Sequence, residues 1–155
     1  MANKYFEAKL NNNEVTDTLK RYAKEIGDLK PALRISRRMI LNAIDENFET
    51  EGSSSGKRFK DWSEGYKAWR KKKGRTDSKI LHYDGNLRKS MTSKITREEL
   101  IVGTPMEYAA AHNFGYAPRN LPQREFMRIS EEFKNELLGE IAYDLAVRIA
   151  SRTKG

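Results

Sequence analysis

The sequence predicts an α+β domain with helices at both ends of the chain. Three features carry this. Apolar residues recur at helical spacing over 15–48 and again over 133–149, the stretch 91–102 alternates apolar with polar residues, and glycine or proline separates these segments. A chain of 155 residues fits one domain, since domains hold about 100–200. With 37% hydrophobic and 34% charged residues, a modest core should carry a large surface open to water or to partners. The expected organisation is an N-terminal arm at 1–13, then a single domain over 14–155 with a flexible loop at 51–58.

Val15, Leu19, Tyr22 and Ile26 share one helical face, and Gly27 is the residue type that ends helices. Asp28 can cap a second helix and Pro31 suits its first turn, where a missing N–H costs nothing. Leu33, Ile40, Leu41, Ile44 and Phe48 extend that helix to near Thr50. The run Glu51-Gly52-Ser53-Ser54-Ser55-Gly56 is turn-prone and is expected not to pack. Phe59 and Trp62 are expected core anchors, and Ser63 can cap a short basic helix that carries Tyr66 and Trp69 and ends at Gly74. Met91, Ser93 and Ile95, then Leu100 and Val102 beyond a turn at 96–99, predict an antiparallel hairpin. Thr104-Pro105-Met106-Glu107 reads as a capping box with proline at the first helical position, so a helix should start there, carry Tyr108 to His112 and stop near Gly115. After a loop with Pro118 and Pro122, residues 125–129 suggest a short strand. Ser130 can then cap a long terminal helix, with Glu131 and Glu132 at its positive end and a stripe of Phe133, Leu137, Leu138, Ile141, Leu145 and Ile149.

The net charge of +8 is concentrated. Residues 57–75 hold nine basic side chains (Lys57, Arg58, Lys60, Lys67, Arg70, Lys71, Lys72, Lys73, Arg75) against Asp61 and Glu64, and the remainder is nearly neutral. Such a patch attracts polyanions or steers an acidic protein, which makes Lys67, Arg70, Lys71, Lys72, Lys73 and Arg75 candidates to face DNA or an interface. Either Tyr66 and Trp69 stack on bases while the cations hold phosphates, or the aromatics pack inward while the lysines face water or an acidic neighbour. The second reading fits better, because no groove-reading fold accompanies the patch. Arg124, between Pro122 and Phe126, can be held in a fixed direction for a bidentate carboxylate contact, within the subunit or across an interface.

Little points to chemistry. Cysteine is absent, which excludes disulfides, thiolate zinc sites and cysteine nucleophiles. His82 and His112 stand outside metal-ligand spacings and read as packed or capping imidazoles. Residues 52–56 lack the Gly-Lys-Ser/Thr ending of a phosphate loop, and Ser53 to Ser55 have no base near in sequence. No enzyme, cofactor or metal is therefore expected. The first seven residues hold no apolar signal core and no window approaches the roughly 18 apolar residues of a membrane span, so a soluble protein without a secretion signal is expected.

One succession of motifs is distinctive. It runs from Leu81-His82-Tyr83-Asp84-Gly85-Asn86-Leu87 through Val102-Gly103 and Tyr108-Ala109-Ala110-Ala111-His112-Asn113-Phe114-Gly115 to Pro122-Gln123-Arg124-Glu125-Phe126. With Trp62 ahead of it, this order resembles the bacteriophage virion morphogenesis, or tail-completion, family over roughly residues 30–150. Gln123 and Glu125 depart from the small residue and second proline usual around that arginine. The resemblance implies an α+β subunit of the phage neck or head-proximal tail end that works by contact rather than catalysis. It also implies a ring of identical subunits, six-fold first and twelve-fold as the other choice, with neighbouring neck or tail-terminator proteins and DNA in the lumen as partners. Trp62, Tyr108, His112, Arg124 and Phe126 would be its structural or interface anchors. Assembly in the host cytoplasm and residence in the virion follow from it. The alternative is a DNA-binding accessory protein using residues 57–75.

Overall fold

The computed structural model describes residues 6–7, 13–76 and 78–155; apart from Phe6, Glu7 and Asn13, the expected N-terminal arm lies outside them. The elements are β1 (Phe6–Glu7), α1 (Asn13–Ile26), α2 (Lys30–Glu49), α3 (Glu64–Lys72), α4 (Asn86–Lys89), β2 (Thr92–Ile95), β3 (Leu100–Thr104), α5 (Ala109–Phe114) and α6 (Glu131–Thr153). This is the α+β architecture expected, with a long terminal helix and a small sheet of order β1-β3-β2. The chain groups into two compact units. Among the described residues, one comprises 6, 44–76, 78–91 and 104–128, the other 7, 13–43, 92–103 and 129–155.

In the second unit α1 packs on α6. Tyr22, Ala32, Leu137, Ile141 and Leu145 form its buried cluster, with Leu19, Ile26, Phe133 and Ile149 packed against it. The four-residue spacing along α6 puts these side chains on one face, and burying each large one contributes about 1.5–3 kcal/mol. Ser130 caps α6 by accepting the Phe133 amide at 3.1 Å, and Arg152 near its far end donates to the carbonyls of Glu25 and Ile26 at 2.7 and 3.0 Å, satisfying the end of α1. The Tyr22 hydroxyl donates to Asp144, whose carboxylate also accepts from Arg148 Nε at 2.6 Å. The hairpin pairs β2 with β3 from Thr92 opposite Gly103 to Ile95 opposite Leu100, within the stretch where an antiparallel hairpin is expected.

Three local expectations for the first unit are corrected. The serine run does pack: Ser53–Ser55 is a 3-10 turn, Ser55 is buried, Thr50 Oγ1 accepts the Ser54 amide at 3.1 Å, and Ser54 Oγ donates to Asn47 Oδ1 at 3.1 Å. Short hydroxyl side chains bond to their own backbone and so make a turn of a stretch that composition alone marks as loose. The helix expected at Pro105 begins only at Ala109, because Thr104 remains in β3, where its buried hydroxyl meets Ser90 Oγ at 2.6 Å and accepts the Met106 amide. Residues 125–129 are not a strand. Their polar backbone groups are held by side chains instead: Asn47 Nδ2 donates to the Phe126 and Arg128 carbonyls at 3.0 and 2.8 Å, and Asn113 Oδ1 accepts the Met127 amide at 3.1 Å.

Candidate functional site

Helix α3 starts at its predicted cap, where Ser63 Oγ accepts the Tyr66 amide at 3.3 Å. Tyr66, Trp69 and Arg70 stand three and four residues apart and share a helical face. Arg70, not the aromatics, is the buried member, 3% exposed against 38% for Tyr66 and 41% for Trp69. Its guanidinium lies 4.2 Å from the centre of the Trp62 ring, and its Nη2 donates to the Arg75 carbonyl at 2.7 Å and to Ser78 Oγ. The inward packing expected of Tyr66 and Trp69 is thus reversed: they stack on each other with centroids 5.6 Å apart and stay half-exposed.

These residues form one wall of a cavity of about 630 Å³ that lies wholly within the first unit. A second wall is the turn before α4, where Leu81 adopts φ 64° and Asp84 accepts the Asn86 amide at 3.0 Å; Leu81, Tyr83, Asp84 and Leu87 line it. Arg75 covers the Tyr83 ring at 4.0 Å. Tyr108 and His112, one turn apart on α5 and its approach, meet edge to face at 5.8 Å and supply a third wall. The fourth is the return from Gly115. At φ 80° a side chain there would stand 3.0 Å from the Gln123 amide nitrogen, so glycine permits the close pass that pairs Tyr116 with Leu121 and carries Arg119, Asn120, Leu121, Pro122 and Arg124 to the rim.

Arg124 is nearly fully buried. It holds its direction as expected, yet its partners are not carboxylates: Nε donates to the Lys60 carbonyl at 2.7 Å and Nη2 to the Asp61 carbonyl at 3.1 Å. Burial lowers its affinity for the proton from the ordinary arginine value. Burial, and next the Arg124 charge, also hold the His112 imidazole below its usual range, so the ring is neutral near neutral pH. Burial does the same for His82. With cations, ring edges and donors outnumbering acceptors, the cavity suits recognition of an anionic group more than bond cleavage.

The sequence candidates divide. Trp62, Arg70, Tyr108, His112 and Arg124 are brought together around the cavity. Lys67 is paired with Asp61 and Glu64, each at 2.9 Å, and these carboxylates raise its pKa. Lys71, Lys72 and Lys73 are exposed. Phe126 is fully buried against Phe48, ring centres 5.2 Å apart, away from the cavity lining. Tyr83 and Arg119 also line the cavity; the left-handed turn and the 3-10 turn that present them leave no periodic signal in the sequence.

Comparison with known proteins adds three findings. The profile of the phage virion morphogenesis family matches residues 10–146. The candidate capsid assembly protein G of Escherichia phage Mu is 29% identical over 115 residues, 70% of this chain and 74% of the Mu protein. The Mu-like prophage FluMu G protein 2 of Haemophilus influenzae is 30% identical over 141 residues, 87% of this chain and 92% of that protein. No solved structure matches.

Proposed function

The chain belongs to the phage virion morphogenesis family, and from that premise we propose that it is a structural protein of the neck or head-proximal tail end, which completes the tail and joins it to the head within a ring of identical subunits. It is a phage assembly protein of a structural family, not of an enzyme class. The observation that carries the finer reading is the match over residues 10–146, which takes in most of both compact units. The Mu relative is named for capsid assembly, and a neck protein acts where capsid and tail meet. An arginine-lined cavity and an exposed Lys71–Lys73 run support a role of docking to neighbours. Closed cyclic symmetry, six-fold by preference, would repeat each such patch around the ring.

Deletion of the gene tests this. Negative-stain images of the lysate should hold filled heads beside separate or abnormal tails. Normal joined virions would contradict the neck reading and favour the DNA-binding accessory role of residues 57–75, which the exposure of Lys71–Lys73 supports. That rival has fewer cations to work with than the sequence suggests, because Lys67 is neutralised by two carboxylates and Arg70 is buried, and phosphate affinity scales with the number of cations engaged.

A further inference from the structure

We propose that the cavity between α3, the turn before α4, α5 and the loop after Gly115 is a docking site for an extended, carboxylate-bearing segment of a second virion protein. Charge complementarity chooses the occupant. Arg70, Arg119 and Arg124 line the cavity against one carboxylate, Asp84. Two buried nitrogens of lining residues, Arg70 Nε and His112 Nδ1, have no hydrogen-bond partner among the described residues, and Arg70 itself is 3% exposed. Buried polar groups are nearly always paired, so two unpaired nitrogens on lining residues set this cavity apart from an ordinary surface hollow.

The aromatic rings favour a peptide over a nucleic acid strand. Base stacking needs an open ring face, and one face each of Trp62 and Tyr83 is taken by Arg70 and Arg75 while Tyr66 and Trp69 take one face of each other, which leaves fewer faces for bases. What remains is a half-exposed apolar rim around the arginines, suited to an aliphatic or aromatic side chain next to a carboxylate. A volume of about 630 Å³ lies within the range of ligand pockets, about 300–1,000 Å³. The inference rests on the neck reading only in drawing the partner from the virion.

The chain has two tryptophans, Trp62 and Trp69, and both line this cavity, so intrinsic fluorescence reports on it alone. The test titrates the isolated full chain with tryptophan-free synthetic peptides that tile the acidic stretches of the other structural proteins of the same phage, and with an oligothymidylate. At least one peptide should shift the tryptophan emission saturably. Its amide twin, with Asp and Glu replaced by Asn and Gln, should bind about tenfold more weakly, as loss of one charge-assisted hydrogen bond entails. Arg119→Glu should weaken the parent peptide by a similar factor with an unchanged circular dichroism spectrum, since Arg119 is exposed. The proposal is overturned if no peptide saturates, if the amide twin binds equally, if Arg119→Glu has no effect, or if the oligonucleotide produces the same saturable shift. Emission that depends on the chain's own concentration would put a second copy in the cavity and would also overturn it. Failure of the neck reading appears separately, in the deletion lysate.

Discussion

At the scale of single residues, direction matters more than charge. Arg124 was legible as a directed arginine from its place between Pro122 and Phe126. Its carbonyl partners were not legible, because any turn 63 or 64 residues away can present them. Asn47 left no signal either: it lies in the last turns of α2, yet its amide holds two carbonyls that a strand would otherwise have satisfied. Asn47→Ala is expected to cost about 2–4 kcal/mol in urea denaturation, since both acceptors lose their donor. Two groups make stability depend on pH. The Glu49 carboxyl is held at about 2 against an ordinary 4.5, by Lys79 and then Arg88. Its contribution to stability is therefore complete above about pH 4.5 and is lost as pH falls through about 2. Tyr22 is pushed up to about 12 from 10.0 by burial and then by Asp144, so its contribution is complete below pH 10 and is lost as pH rises through about 12. Denaturation midpoints across both windows check these, and Arg88→Ala should flatten the acid limb.

At the scale of elements, caps and stripes read well and turns did not. Ser63 and Ser130 cap the helices they were expected to cap, and of the six-residue stripe foreseen for α6, Leu137, Ile141 and Leu145 are buried while Phe133, Leu138 and Ile149 are half-buried. These signals are local, since a cap serves an amide three residues on and a stripe needs only the helical period. Ser130→Ala should therefore cost about 1 kcal/mol. Thr104-Pro105 misled because the same local pattern also suits the end of a strand, and the partner that decided it, Ser90, lies on another element. Helix α3 has a basic face and an aromatic face; an arginine with its long apolar stem can be buried under a tryptophan, and periodicity does not say which residue of a shared face goes inside. The serine turn turns on one glycine. At Gly52, φ is 85° and a methyl group would stand 2.3 Å from the Lys57 carbonyl oxygen, while at Gly56, φ 79°, nothing lies within 4 Å. Gly52→Ala should thus cost about 2–3 kcal/mol and Gly56→Ala about 1 kcal/mol, read from thermal or urea midpoints.

At the scale of the whole molecule, the family was legible from the order of weak motifs rather than from any one of them. Three of these motifs meet at one cavity: the Leu81–Leu87 turn, the Tyr108–Gly115 helix and the Pro122–Arg124 return. That gives them a common structural role that sequence spacing could not state. The basic segment also resolves into parts: a paired Lys67, a buried Arg70 and an exposed Lys71–Lys73 run. The triple change of Lys71, Lys72 and Lys73 to glutamate should leave the fold intact and lower the yield of infectious particles, as counted by plaque assay, if these lysines face DNA or an acidic ring. Position in the virion is tested by immunogold labelling of this chain on intact particles under the electron microscope. Gold confined to the head–tail junction is the result expected of a neck component; gold spread over the capsid or along the tail, or none on purified virions, would contradict it.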